Sequence, residues 1–227
     1  MQVFCDFDGT ISVGDTTDQV LTRFAHPEWE FIEQQWLRGL IGSAECMRKQ
    51  IALLHVTPHD LDELLDTVEI DSGFPAFLSA CKAWDVPVTV VSDGVGYFIG
   101  RILGRHDIAD LPIIANVLNQ HQNEDGVAYS ISQPFAGRNC GTGSGVCKCA
   151  VVEAVGGTIY IGDGRSDFCV SDKADIVFAK DKLADHCRRQ GIPFIPFNTF
   201  TDLLPRITSI LSDGARSYRA QTQTLIA

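Results

Sequence analysis

Apolar positions along the chain follow two different rhythms. Short strand-like runs occur at Val3 to Phe7, Val86 to Ser92, Thr158 to Gly162 and Asp175 to Ala179, and helical patterns separate most of them. Between about residues 16 and 72 there is no strand signal. There Trp29, Ile32, Trp36 and Leu40 recur at helical spacing, followed by Met47, Ile51 and Leu54, then Leu61, Leu64, Leu65 and Val68. Strand alternating with helix predicts an α/β fold with a doubly wound parallel sheet. The strandless stretch predicts a helical cap inserted after the first strand. The expected division is a core of 1–15 and 73–212, a cap of 16–72 whose Trp, Phe and Met side chains form a small core of their own, and a tail of 213–227. That tail holds few apolar side chains and is expected to fray or dock weakly. Two β-rich runs between about Pro112 and Phe135 flank Gln122-Asn123-Glu124-Asp125-Gly126, which predicts a hairpin.

Three of the strands run into polar turns: Asp6-Phe7-Asp8-Gly9, Ser92-Asp93-Gly94 and Gly162-Asp163-Gly164-Arg165-Ser166-Asp167. Ligands of an open α/β sheet bind outside the carboxyl ends of the strands, so the three turns are expected to share one crevice. Alternate residues of a strand share a face, which points Asp6 and Asp8 into it together. Neighbouring carboxylates repel unless a cation separates them or one keeps a proton. Each solution is chemically useful: a metal site, or a nucleophile, for which Asp6 is the candidate, paired with a general acid and then base, for which Asp8 is. Ser92, Asp93 and Gly94 offer a hydroxyl and backbone N–H groups as an anion cradle, although a serine there also serves as a plain helix cap.

Hard oxygen donors suit Mg²⁺. The candidate metal residues are Asp6, Asp8 through its backbone carbonyl, Asp163, and Asp167 from behind the direct ligands or as a helix N-terminal carboxylate. Lys148 follows the glycine-rich loop Gly141 to Gly145 and begins the apolar run Ala150 to Val155. A fixed ammonium there can neutralise both phosphate and crowded carboxylates. Lys82, Arg101 and Arg105 are competing cations.

With 227 residues, 45% of them hydrophobic, the chain can bury a substantial core. Its net charge of −11 disfavours binding to nucleic acid or to anionic lipid. No apolar run approaches the roughly 18 residues that span a bilayer, and Met1-Gln2-Val3-Phe4 enters a strand directly, so a cytoplasmic soluble protein is expected. Eight scattered cysteines read as reduced thiols. Cys140, Cys147 and Cys149 bracket Lys148, but no Cys-x-x-Cys pair or evident fourth ligand supports structural zinc.

Taken in order, these turns resemble those of the haloacid dehalogenase superfamily, in its phosphoserine-phosphatase-like branch, over about residues 1 to 212. Within that branch the chain is similar to the methionine-salvage phosphatases through Phe24-Ala25-His26-Pro27-Glu28-Trp29, the loop into Cys147-Lys148, and Phe178-Ala179-Lys180-Asp181 with Cys187. The resemblance implies a Mg²⁺-dependent phosphomonoesterase, monomeric or homodimeric, that acts on a small phosphorylated metabolite such as a phosphorylated ketone. It implies an aspartyl-phosphate at Asp6, acid/base work by Asp8, phosphate contacts from Ser92 and Lys148, a metal ligand in Asp163, and a mobile cap. Two departures stand out. Those relatives usually have Ser-Gly-Gly where this chain has Ser92-Asp93-Gly94, and their lysine loop carries more cysteines. Phosphoserine phosphatases also place an arginine where Gln50 stands and a glutamate where Asp15 stands. Free phosphoserine is therefore expected to be a poor substrate, and Gln50→Arg to narrow the gap. A phosphotransferase or mutase on a phosphosugar and a non-catalytic phospholigand-binding protein are the alternative readings.

Overall fold

Strands β1 (Gln2–Cys5), β2 (Val88–Val95), β3 (Ile113–Asn123), β4 (Gly126–Ser132), β5 (Thr158–Gly162), β6 (Ile176–Ala179) and β7 (Ile195–Pro196) form one sheet in the order β4-β3-β2-β1-β5-β6-β7. Every neighbouring pair is parallel except β3 and β4, which form the antiparallel hairpin at one edge. The computed structural model describes residues 1–124, 126–137 and 143–212. Cys140, Gly141 and the tail 213–227 lie outside the described residues.

Helices α1 (Thr16–Phe24), α2 (Glu28–Leu37), α3 (Ser43–Ile51) and α4 (Pro58–Leu65) all fall between β1 and β2. α5 (Phe74–Ala83) leads into β2, α6 (Gly96–Arg105) leaves it, and α7 (Lys148–Glu153), α8 (Asp181–Gln190) and α9 (200–212) follow. Their ends obey local chemistry. The Asp15 carboxylate accepts from the Asp18 N–H at 2.9 Å to cap α1, and Thr57 does the same for α4 ahead of Pro58. Gly191, at φ 67°, closes α8 in the left-handed region. No described helix is long and apolar enough to cross a membrane.

Alternation along the central strands feeds two apolar layers, as a sheet covered on both faces requires. Val3, Cys5, Val90, Ile159, Ile161 and Phe178 join α5, α6 and α9 on one face. Phe4, Val91, Tyr160, Val177 and Ala179 join α7 and α8 on the other. Phe200 of α9 packs against Phe74 and Phe77 of α5, with ring centroids 4.9 and 5.0 Å away.

The helical insertion differs from the expectation of a core of its own. Val20, Leu21, Ile51, Leu61 and Leu65 belong to the same buried cluster as the first layer, and Phe24, Trp29 and Met47 pack against it. The reason is α4, which lies along α6. Arg101 donates to both oxygens of Asp66 at 2.6 and 2.7 Å and pairs with Asp62 at 3.3 Å, while Tyr97 donates to Asp62 at 2.5 Å. Arg101 is thereby committed far from any phosphate cradle. On the opposite flank Arg48 donates to Gln133 at 2.7 Å, and Gln133 donates to the Ala44 carbonyl at 3.1 Å.

Because Phe200 is fully buried and meets two other rings, Phe200→Ala is expected to cost about 3–5 kcal/mol, read as a lowered midpoint in urea denaturation.

Candidate active site

β1 delivers Asp6 to the end of the sheet, and the carboxylate is fixed by one oxygen. Oδ1 accepts from the Phe7 N–H at 2.8 Å and pairs with Lys148 Nζ at 2.8 Å. Among the described residues Oδ2 accepts no hydrogen bond. Lys148 is fully buried, and its ammonium also reaches Asp167 Oδ1 at 2.6 Å and Ser166 Oγ at 3.0 Å, which accounts for all three N–H donors. Asp167 is equally committed. Tyr160 donates to Oδ1 at 2.5 Å, and the Asp163 and Gly164 N–H groups donate to Oδ2 at 3.0 Å each. Neither Lys148 nor Asp167 lines the cavity beyond Asp6. The pair sits behind Asp6 and holds it, which places Asp167 behind the floor carboxylates, as expected, and sets Lys148 against the nucleophile's carboxylate rather than in the cavity lining.

The turn after β1 depends on Gly9. It adopts φ 74°, and a Cβ there would come within 2.6 Å of Asp163 Oδ2. Asp8 Oδ1 accepts from the Thr16 N–H at 2.9 Å, and Asp163 Oδ1 accepts from Thr10 Oγ1 at 2.7 Å. β2 runs on through Ser92 to Val95 rather than stopping at Ser92, with a register shift against β3 between Val91 and Val95. That bulge lets the Gly94 N–H donate to Ser92 Oγ at 2.9 Å, and a side chain at Gly94 would collide with Asp8 Oδ2.

Asp93, expected beside the phosphate, is held from two sides. Ser43 at the start of α3 donates to Oδ2 at 2.5 Å and the Val146 N–H to Oδ1 at 3.0 Å. It therefore bridges the insertion, β2 and the loop that precedes Lys148. Sequence reasoning gave no role to Thr10, Ser43, Tyr160 or Ser166, although Ser166 lies within the Gly162 to Asp167 turn and Thr10 directly follows Asp8-Gly9.

A cavity of about 660 Å³ joins these groups to the insertion. Asp6, Asp8, Asp163, Ser92, Asp93 and Gly94 form its floor. Trp36, Leu37, Met47, Cys46, Gln50 and Glu33 form its roof, and Asp15, Asp18, Arg165 and Lys182 its sides. Gln50 and Asp15 thus reach the cavity, although the Gln50 amide donates to Glu33 Oε2 at 3.0 Å and Asp15 is engaged as a helix cap.

Burial, followed by the charge of Asp167, pushes the Asp6 carboxyl well above its ordinary value, against the pull of Lys148. Burial and Asp167 raise Asp163 to about 6; burial and Asp15 raise Asp8 to about 7. Burial alone would depress the Lys148 ammonium, but Asp167 and Asp6 more than reverse this. Asp6, Asp163 and Asp167 each offer an oxygen within 4.8 Å of the others. Against one ammonium, three carboxylates leave an excess of two negative charges in a set of hard oxygen donors. That set fits a hard divalent cation, with Asp6 and Asp163 the two whose oxygens face the cavity.

A family model described as Putative Phosphatase matches residues 1–188. The chain is 32% identical to a 2-hydroxy-3-keto-5-methylthiopentenyl-1-phosphate phosphatase of Brevibacillus brevis, over 89% of this chain and 92% of that one. It is 31% identical to the protein of the same name from Geobacillus kaustophilus, over 89% and 93%. A phosphoserine phosphatase solved as a phospho-aspartyl intermediate analogue superposes with a TM-score of 0.64 at 18% identity, covering 87% of this chain and 93% of that one. A substrate-bound phosphoserine phosphatase gives 0.65 at 17%, over 92% and 97%. The two structures share the haloacid dehalogenase fold with this chain.

Raised carboxyls make the metal-free protein's stability pH-dependent in a defined direction. A group whose folded value lies above its unfolded value stabilises the fold at low pH, and that contribution is lost as pH rises through the folded value. For Asp163 the window runs from 3.8 to about 6. In EDTA, Asp163→Asn is therefore expected to stabilise the protein by about 1–3 kcal/mol at pH 8 and hardly at all at pH 4, measured by urea denaturation at both values.

Proposed function

The chain belongs to the Putative Phosphatase family and is a phosphatase, and from that premise we propose that it hydrolyses 2-hydroxy-3-keto-5-methylthiopentenyl-1-phosphate, or a closely related phosphorylated ketone, through an aspartyl-phosphate on Asp6 with Mg²⁺ as cofactor. The observation that carries this reading is the asymmetry of Asp6, with Oδ1 bonded to Phe7 and Lys148 and Oδ2 left towards the cavity. The substrate follows from the relatives' names, and the roof supports it, since Trp36, Leu37 and Met47 offer an apolar surface to a thioether tail.

In this mechanism Asp6 Oδ2 attacks phosphorus and the phosphoryl group passes to it from the ester oxygen. Asp8, with its carboxyl near 7, gives its proton to the departing alkoxide and then takes one from the water that splits the aspartyl-phosphate. Ser92 Oγ, whose position is fixed by the Gly94 N–H, donates to a non-bridging oxygen. Lys148 and Asp167 keep the nucleophile in one orientation, so little reorganisation is needed during attack. Asp6, Asp163 and the Asp8 carbonyl would hold Mg²⁺, which would supply neutralisation of the negative charge gathered at the site.

Residues 1–15 and 73–212 act as the catalytic core and α1 to α4 as the cap that keeps water away during the first step. We place the enzyme in the cytoplasm, in keeping with described cysteines that form no disulfide. The relatives' names lend nothing to a phosphosugar transferase or to a non-catalytic binding protein.

The test is phosphate release from that ketone phosphate and from an aryl phosphate. Release should need Mg²⁺ and stop in EDTA, and Asp6→Asn should lower kcat by about 10³-fold or more while phosphate esters still bind. Near-wild-type turnover by the purified Asp6→Asn protein would overturn the mechanism.

A further inference from the structure

The roof of the cavity carries a carboxylate that the mechanism leaves unused. Glu33, on α2, takes two hydrogen bonds from α3: Gln50 Nε2 at 3.0 Å and Cys46 Sγ at 3.7 Å. Both fall on Oε2, and Oε1 has no hydrogen bond among the described residues. Gln50 is itself buried and donates also to the Trp29 carbonyl at 3.5 Å, so the amide that fixes Glu33 has little freedom to turn elsewhere. Glu33 and Asp18 line the cavity together, and they are close enough for Glu33, after burial, to raise the Asp18 carboxyl.

The basic residues lining the cavity do not balance Glu33. Arg165 lies over the Trp36 ring at 5.5 Å and donates to the Leu37 carbonyl at 3.4 Å. Lys182 acts on Asp18. A phosphate seated at Ser92 and Asp6 would therefore extend its carbon chain towards an oriented acceptor that has no ion-pair partner among the described residues.

We propose that Glu33 sets substrate choice at the cap end: its Oε1 accepts a hydrogen bond from a hydroxyl on the substrate's carbon chain, and its charge excludes phosphate esters whose far end carries a carboxylate. The inference rests on the phosphatase reading above, because it takes the phosphate to sit at Asp6. It also changes what Gln50 can do. An arginine at position 50 would stand within bonding distance of Glu33 and be neutralised by it, so Gln50→Arg alone would not create the grip on a carboxylate that the sequence suggested.

Calorimetric titration of 3-phospho-D-glycerate, whose far end carries a carboxylate and no ammonium, and of sn-glycerol 3-phosphate tests this in protein carrying Asp6→Asn, so that neither ligand is consumed. Binding is read without turnover; failure of the wild type to release phosphate would count against the phosphatase reading alone. Adding Glu33→Gln is expected to shift the preference towards 3-phosphoglycerate about tenfold or more, through removal of a like charge. Glu33→Asp, which keeps the charge, should keep the preference. Gln50→Arg alone should move it by less than about threefold, and Gln50→Arg with Glu33→Gln by more than either single change. An unchanged preference in Glu33→Gln, or the full gain from Gln50→Arg alone, would overturn the proposal.

Discussion

A single buried ammonium governs the geometry of this site. Lys148 lies between Asp6 and Asp167 with no exposure to solvent, and an unpaired charge at that depth would be strongly destabilising. Its presence therefore dictates its surroundings. Asp167 must be close, and it is in turn held by Tyr160 and two backbone N–H groups. Asp6 must present one oxygen to the ammonium, which directs the other towards the cavity. The strands contribute by timing: β1 and β5 are adjacent and parallel, so the turns that follow them bring Asp6 and Asp163 to the same edge.

That arrangement creates a tension the protein does not relieve by itself. Asp6, Asp8 and Asp163 are all held above their ordinary values, because burial, followed by the charge of Asp167 on Asp6 and Asp163 and of Asp15 on Asp8, outweighs the help from one lysine. A site of this kind is prepared for positive charge at its mouth and for a proton on Asp8. The same imbalance extends upward through Asp15, Asp18 and Glu33, which makes charge a natural means of choosing among phosphate esters.

Much of this could be read from the sequence, and the reason is the strand period. Asp6 and Asp8 are two residues apart at a strand end, and Gly162-Asp163-Gly164 follows another strand, so convergence at one edge needed only the parallel-sheet rule. The edge hairpin was legible from two β-rich runs around a polar turn. β7 was not, since two residues ending in Pro196 leave no pattern. Helical spacing revealed α2 to α4 but not what they pack against. An apolar stripe specifies a face without its partner, and the joint with α6 rests on Asp62, Asp66, Tyr97 and Arg101, which are far apart in sequence. Asp93 shows the same limit. The Ser-Asp-Gly string put Asp93 at the crevice, and it lines the cavity, but Ser43 and Val146, which hold its carboxylate, lie about fifty residues away on either side.

The central claim is that Asp6, and no other group of the crowded floor, becomes phosphorylated during turnover. Rapid acid quench of the enzyme during turnover, followed by peptide mapping, tests it directly. The account predicts a labile phosphoryl group on the peptide containing the N-terminal strand, located at Asp6 by reductive trapping. A phosphoryl group found at Asp8 or Asp163, or turnover with incorporation of solvent oxygen and no protein-bound phosphoryl group on any quench timescale, would contradict it.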